Sequence, residues 1–136
     1  MRDEDLILFL EAHTHYKIKH FVGYSRLDSY FLNERGELVG FLERKTRNVP
    51  IGKYDTAIID FQKFQAMKDI EEATSLNAWL AYAWSDGVVG VVQPTRCPIQ
   101  VEMATPSDES VSFNKGVARE VAHIEVKRFE ILGTIA

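Results

Sequence analysis

Two acidic residues and one lysine in the first part of the chain have the types and spacing that could perform chemistry on a phosphate. Asp28 opens one apolar stretch, and Glu43 and Lys45 close the next. Side chains alternate between the two faces of a strand, so Glu43 and Lys45 point the same way. Mg²⁺ is commonly bound through one or two carboxylates together with waters and substrate phosphate. The three residues therefore form a candidate site for a divalent ion.

The two apolar stretches are predicted to form a β-hairpin that turns at Arg35-Gly36, because glycine readily adopts the positive φ of a tight turn. A two-residue loop would place Asp28 directly opposite Glu43, with the Cβ atoms about 5 Å apart. A slip of one residue would move Asp28 to the other face. A three-residue loop with Gly36 in the left-handed conformation is an alternative that needs a β-bulge nearby. The competing interpretation is a surface hairpin with an exposed ion pair.

The sequence of Leu27-Asp28 followed by Phe41-Leu42-Glu43-Arg44-Lys45-Thr46-Arg47 resembles the motif of the PD-(D/E)xK nuclease superfamily. This superfamily includes restriction endonucleases, Holliday-junction resolvases and small phage and prophage nucleases. Leu27 stands where the motif has proline. The resemblance covers the order of elements over residues 3–93. It implies an α/β (α+β) fold with a restriction-endonuclease-like core of helix–three strands–helix–two strands, followed by a β-rich C-terminal extension at 94–136.

Local sequence patterns predict the elements of this core, within a single domain spanning residues 1–136. Asp60 is the predicted N-cap of the second helix. Asp86-Gly87 is the predicted turn of a second hairpin. The predicted elements are a helix at 3–13, a strand at 16–26, the first hairpin, a loop at 47–55, a helix at 60–75, strands at 78–84 and 88–92, short strands at 99–103 and 111–113, and a strand with a packed tail at 119–132.

The resemblance also implies roles for individual residues. Asp28 and Glu43 would hold Mg²⁺, or Mn²⁺ in its place, together with the backbone carbonyl of Arg44. Lys45 would orient the attacking water or stabilise charge on the phosphate. Glu11, on the first helix, would reach the metal site, with an ordinary solvated helix acid as the alternative.

The segment Ile59-Asp60-Phe61-Gln62-Lys63 resembles a pattern that small phage-type members place after the motif strand. It implies that Gln62 or Lys63 approaches the metal or the phosphate. The basic residues near the motif would neutralise the nucleic-acid backbone. The predicted phosphate contacts are Arg44, Arg47, Lys53 and Gln62.

Composition restricts the remaining classes. The net charge of −4 means that the chain as a whole is not a basic nucleic-acid binder, so binding to DNA would need a local basic patch. The single cysteine, Cys97, excludes an intrachain disulfide and a cysteine-based zinc cluster. The polar N-terminus and the lack of a long apolar run predict no signal peptide and no membrane span, hence a soluble cytoplasmic protein.

These observations predict a metal-dependent endonuclease that hydrolyses DNA backbone phosphodiesters. The resemblance also allows a homodimer, because junction-cutting members of the superfamily work as dimers. The alternative is a catalytically inactive module that keeps the nuclease fold and binds nucleic acid or another partner. A third hypothesis is a small-molecule-binding domain that uses the region of Trp79 and Trp84, two residues predicted to face opposite sides of their strand.

Overall fold

The first helix packs one apolar side onto a sheet. The computed structural model of the protein describes residues 2–23, 25–104 and 118–135. Helix α1 spans Asp3–Thr14, and Leu6 and Leu10 are its buried residues. The carboxylate of Asp5 accepts the backbone N–H of Arg2 at 3.2 Å. Acidic residues in the first turn suit the positive end of the helix dipole.

The hairpin predicted around Arg35-Gly36 follows a short first strand. Strand β1 spans Lys17–His20, β2 spans Ser29–Leu32 and β3 spans Leu38–Thr46, and β2 is antiparallel to both β1 and β3. Strand β1 is much shorter than the predicted 16–26.

The turn of this hairpin is the three-residue alternative. Asn33 donates its N–H to the carbonyl of Glu37, and Gly36 has a φ of +78°. The register shifts between Phe31 and Leu32, which is the β-bulge that this alternative required. Of the two loops that the sequence left open, the two-residue loop is therefore excluded. The bulge restores the pairing that such a loop would have given, because Ser29 lies opposite Leu42.

The chain then crosses over to a strand parallel to β3. Strand β4 spans Thr56–Asp60 and leads into helix α2 at Phe61–Thr74, followed by β5 at Asn77–Ala83 and β6 at Val88–Val92. Strand β5 lies parallel to β3, with Glu43 opposite Leu80. The hairpin predicted at Asp86-Gly87 is confirmed, and Gly87 has a φ of +86°.

The C-terminal extension contributes to two sheets. Strand β7 spans Ile99–Ala104, β8 spans Arg119–Glu125 and β9 spans Glu130–Thr134. The larger sheet has the order β1-β2-β3-β5-β6-β9, and the smaller one has the order β4-β8-β7. Strand β4 was not predicted. The predicted strand at 111–113 lies outside the described residues.

Two apolar clusters lie on opposite faces of the larger sheet. One cluster joins that sheet to α2 and the smaller sheet, through residues such as Phe41, Met67 and Ile124. The other joins it to α1 through Leu10 and Leu42. The fold is thus mixed α/β, with a body made mostly of sheet. Within the described part of the chain, neither helix combines the length and the apolar character needed to cross a membrane.

Gly40 of β3 lies too close to β5 and to Phe31 to accommodate a larger residue. A Cβ added at Gly40 would lie 2.7 Å from the backbone oxygen of Asn77 and 2.8 Å from Cζ of Phe31. We expect Gly40→Ala to lower the free energy of unfolding by about 2 kcal/mol, because the neighbouring backbone must shift. Gly52→Ala is the control, since no atom lies within 4 Å of a Cβ there. Urea denaturation of both variants measures the difference, and equal stabilities would contradict this packing.

Candidate active site

Strand β3 presents alternate side chains to the two faces of the larger sheet. Phe41 belongs to the cluster on the α2 side, and Leu42 belongs to the cluster on the α1 side. Alternation therefore places the side chains of Glu43 and Lys45 on the α2 side, and each residue is only 7% exposed. A short run of the sequence thus delivers an acid and a base to the same buried face.

The hairpin register brings Asp28 to Glu43. The backbone N–H of Asp28 donates to Oε1 of Glu43 at 3.1 Å, and the N–H of Arg44 donates to Oδ2 of Asp28 at 3.1 Å. The charge of Asp28 also contributes to the raised pKa of Glu43. Asp28, directly before β2, and Glu43 of β3 therefore meet on one side of the hairpin.

These residues line a cavity of about 240 Å³ between the larger sheet, the start of α2 and the smaller sheet. The carboxylates and the cationic side chains are mixed on its walls. The lining residues are Asp28, Glu43, Arg44, Lys45, Ile59, Asp60, Lys63 and Arg119. The cavity thus combines groups from β3, β4, α2 and β8.

Lys63 connects α2 to the carboxylates. Its Nζ lies 3.6 Å from Oε2 of Glu43 and donates to the backbone carbonyl of Arg26 at 2.7 Å. The structure therefore places Lys63, which the sequence pattern singled out together with Gln62, at the cavity. Gln62 is exposed and lies outside the set of lining residues, although its N–H donates to Asp60 at 2.9 Å.

Burial perturbs both ionisable residues of the β3 motif. Burial, followed by the charge of Asp28, raises the pKa of Glu43 from 4.5 to about 7. Burial, followed by the charge of Arg47, lowers the pKa of Lys45 from 10.5 to about 8, while Glu43 and the other nearby carboxylates oppose this shift. Both groups are thus able to exchange protons near neutral pH, which is common at functional sites.

Two residues of the predicted site have other contacts. The carboxylate of Glu11 accepts the backbone N–H of Ile18 at 2.8 Å, and Glu11 is outside the set of cavity-lining residues. The guanidinium of Arg44 pairs with Asp3 at 3.0 Å and donates to Oγ of Ser29 at 2.9 Å. These contacts connect α1 to the sheet, so the side chain of Arg44 has little access to a phosphate in the cavity.

The two remaining predicted phosphate contacts lie beyond the cavity walls. Arg47 donates to the hydroxyl of Tyr82 at 2.7 Å, and its guanidinium lies over the Tyr82 ring. Lys53 lies in the loop after β3, with its Nζ 5.4 Å from the ring centre of Tyr54. Arg47 still acts on the site through its charge, which lowers the pKa of Lys45.

Asp60 and Arg119 line the cavity without having been assigned a role there. Asp60 was predicted only as a helix N-cap, a function that its contact with the N–H of Gln62 confirms. Arg119 comes from the C-terminal extension, 59 residues from its partner Asp60. The available signal was the alternation in β8, which puts a cation on the same face as the buried Val121.

A larger cavity lies on the other face of the sheet, away from Glu43. Its volume is about 450 Å³, and its walls are mostly apolar, with Leu10, Leu42 and the half-buried Trp79 among them. Trp84 is buried in the opposite cluster, so the two tryptophans do face different sides. The larger cavity has room for an apolar group, and the small-molecule hypothesis remains a prediction.

Comparison with protein-family models, with curated proteins and with solved structures finds no match to this chain. Across residues 2–23, 25–104 and 118–135, no group of three or more His, Cys, Asp or Glu side chains is placed to hold a metal ion. A divalent ion here would thus depend on two carboxylates, supplemented by waters and a ligand.

The shifted pKa of Glu43 predicts a pH-dependent gain in stability for Glu43→Gln without metal. The folded protein binds this proton more tightly than the unfolded chain, so the contribution to the free energy of unfolding is fully present below pH 4.5 and is lost as the pH rises through about 7. Glutamine does not ionise, so the Glu43→Gln variant does not lose stability in this way as the pH rises. We expect the stability of the variant relative to the original chain to increase by on the order of 2–3 kcal/mol between pH 4.5 and pH 8.

Urea denaturation in EDTA at both pH values measures this change. Glu34→Gln is the matched control, because Glu34 is an exposed glutamate of the same hairpin and should show no such trend. If the difference in free energy of unfolding between Glu43→Gln and the original chain did not vary with pH, burial would not raise the pKa of Glu43.

Proposed function

We propose that the protein is a Mg²⁺-dependent phosphodiesterase that hydrolyses the DNA backbone. The observation that carries this proposal is the approach of Asp28 to Glu43 in one cavity, with Lys45 on the same face of β3. Asp28 directly precedes β2, Glu43 lies in the adjacent β3, and the lysine lies two residues beyond Glu43. This is the arrangement that the resemblance to PD-(D/E)xK nucleases implied.

The order of elements supports a restriction-endonuclease-like core. Helix α1 is followed by three antiparallel strands, then by α2, and then by β5 parallel to β3 and by β6. Strand β4 and its sheet are additions to that order, since β4 pairs with β8 from the C-terminal extension. The site lies on the face that α2 and the smaller sheet cover, where β3 delivers Glu43 and Lys45.

The residues present fit a hard divalent cation. Two carboxyl groups lie close together in a mostly buried site, and their mutual repulsion contributes to the raised pKa of Glu43. A cation between them would remove this repulsion. Mg²⁺ usually retains several waters and takes one or two carboxylates with substrate phosphate, so Asp28 and Glu43 are a sufficient protein contribution. Mn²⁺ would suit the same oxygens, and the Arg44 carbonyl remains a predicted ligand.

The side chains of the cavity would then have separate tasks. A divalent ion, when bound, would polarise the phosphate and lower the pKa of a water beside it. Asp28 and Glu43 would hold the ion, and the N–H of Arg44 keeps Asp28 oriented. Lys45, whose pKa is lowered to about 8, would hold the attacking water or donate a hydrogen bond to the phosphate. Lys63 would stabilise negative charge on the phosphate from the α2 side.

Removal of either motif residue should abolish cleavage. We expect Glu43→Gln and Lys45→Met to lower the rate of Mg²⁺-dependent nicking of plasmid DNA by at least about 10²-fold, because each removes a group that acts on the reacting phosphate. Circular dichroism and thermal melting would establish that both variants are folded. Glu34→Gln should cleave at the original rate. Undiminished cleavage by both motif variants would refute the assignment.

Metal binding can be measured independently of cleavage. An ion that binds the folded protein alone raises the free energy of unfolding, by about 2.7 kcal/mol at a concentration 100 times Kd. We therefore expect Mn²⁺ and Mg²⁺ to raise the melting temperature of the original chain and of Glu34→Gln. Asp28→Asn should lose most of this increase, because it removes one of the two anionic ligands.

The combination of results separates the enzyme from an inactive module with the same fold. Cleavage and a metal-dependent melting shift that both require Glu43 would support the nuclease. No cleavage of duplex, junction or single-stranded DNA in Mg²⁺ or Mn²⁺, together with no melting shift, would instead favour the binding module.

A further inference from the structure

Arg119 lies in the cavity although it comes from a distant part of the chain. Its Nη1 donates to Oδ2 of Asp60 at 2.6 Å, and the side chains of Arg119 and Asp60 are 29% and 14% exposed. Lys45 and Lys63 line the same cavity from β3 and α2. Cationic side chains from three separate elements therefore converge on one space, and Arg119 is the contribution of the C-terminal extension.

The pairing of β4 with β8 explains why Arg119 reaches this position. Asp60, the last residue of β4, lies directly opposite Val121 of β8. Arg119 precedes Val121 by two residues, so it shares the face of Val121 and is a diagonal neighbour of Asp60. The other carboxylate oxygen of Asp60 accepts the N–H of Gln62 at the start of α2. Asp60 is thus fixed from two sides and fixes Arg119 in turn.

The chemistry of arginine suits a phosphate at this point. A guanidinium presents its N–H donors in a planar fork that matches phosphate and carboxylate oxygens, and it remains charged at all accessible pH values. The contact with Asp60 orients this fork at the cavity wall and limits the entropy that binding would cost. Two arginines predicted from sequence as phosphate contacts point elsewhere. Asp3 holds the side chain of Arg44 on the α1 side, and Arg47 is bonded to Tyr82 outside the lining of this cavity.

We propose that Arg119 contacts a backbone phosphate of the nucleic acid in the cavity and that Asp60 positions it for this contact. The inference rests on the proposed function and adds the part of the substrate site that the C-terminal extension supplies. The smaller sheet would then serve to hold β8, and with it Arg119, beside the end of β4 where α2 begins.

Binding of a fluorescein-labelled DNA duplex in EDTA tests this proposal without depending on catalysis. Anisotropy titrations between 50 and 200 mM salt would give the affinity and its salt dependence. We expect Arg119→Gln to weaken binding about tenfold at low salt and to reduce the slope of log K against log salt by about one. Arg119→Lys should keep the slope while losing part of the affinity. Arg128→Gln is the control, because Arg128 is an exposed arginine of the same extension.

Neutralising Asp60 separates phosphate contact from a purely structural ion pair. If Arg119 served only as the counter-ion of Asp60, Arg119→Gln would have no effect on binding in an Asp60→Asn background. The proposal expects the same loss of affinity and of salt slope in that background. The double variant carries no unpaired charge at this position, so it also addresses any failure of the single variant to fold.

The outcomes also distinguish this inference from the proposed function. Unchanged affinity and slope in Arg119→Gln, with cleavage that still requires Glu43, would overturn the role of Arg119 and leave the nuclease in place. Absence of DNA binding by the original chain would overturn the role of Arg119 as well. A third outcome is that Arg119→Gln reduces the salt dependence of DNA binding while the original chain shows no metal-dependent cleavage. That outcome would support the phosphate contact and point to a binding module.

Discussion

The burial of one glutamate beside a second acid is the constraint on which this site depends. Placing Glu43 almost out of solvent disfavours its charged form, and the neighbouring Asp28 disfavours it further. The fold offsets this cost with specific partners. The N–H of Asp28 donates to Glu43, and α2 brings the ammonium of Lys63 to the other carboxylate oxygen. A site that stores this repulsion is suited to receive a cation.

The β-bulge of the first hairpin makes this arrangement possible. Without it, a three-residue loop would shift the register by one residue and send Asp28 to the α1 side of the sheet. The shift between Phe31 and Leu32 corrects the register before Ser29 pairs with Leu42. On the α1 side, by contrast, Arg44 is bonded to Asp3 and to Ser29. Consecutive residues of β3 thus face the cavity on one side of the sheet and make structural contacts on the other.

Features encoded locally were predictable from the sequence. Both helices and both hairpins follow from apolar spacing, an N-cap aspartate and turn glycines, which depend on residues close together in the chain. The shared face of Glu43 and Lys45 follows from alternation alone. The loop length was not predictable, because a two-residue loop and a three-residue loop with a bulge give the same pairing beyond the bulge.

Features encoded over long distances were not predictable in the same way. Residues 56–59 are too few and too close to the N-cap of α2 to indicate a strand. They form one because β8 supplies a partner more than 60 residues later in the chain. Arg119 depends on that pairing, so its place in the cavity could not be read from its neighbours. Glu11 shows the converse, since a plausible acid on the first helix bonds to the adjacent strand instead.

The net charge of −4 is compatible with a phosphate site because the relevant charges are concentrated and already paired. In the free protein, Lys63 lies near Glu43, and Arg119 is bonded to Asp60, so the cavity presents little net field. Under the proposed function, a divalent ion held by Asp28 and Glu43 would neutralise the carboxylate that now offsets Lys63. Lys63 would then act more strongly on the phosphate. Metal and nucleic acid should therefore strengthen each other's binding, as linkage requires of two ligands coupled through the same charges.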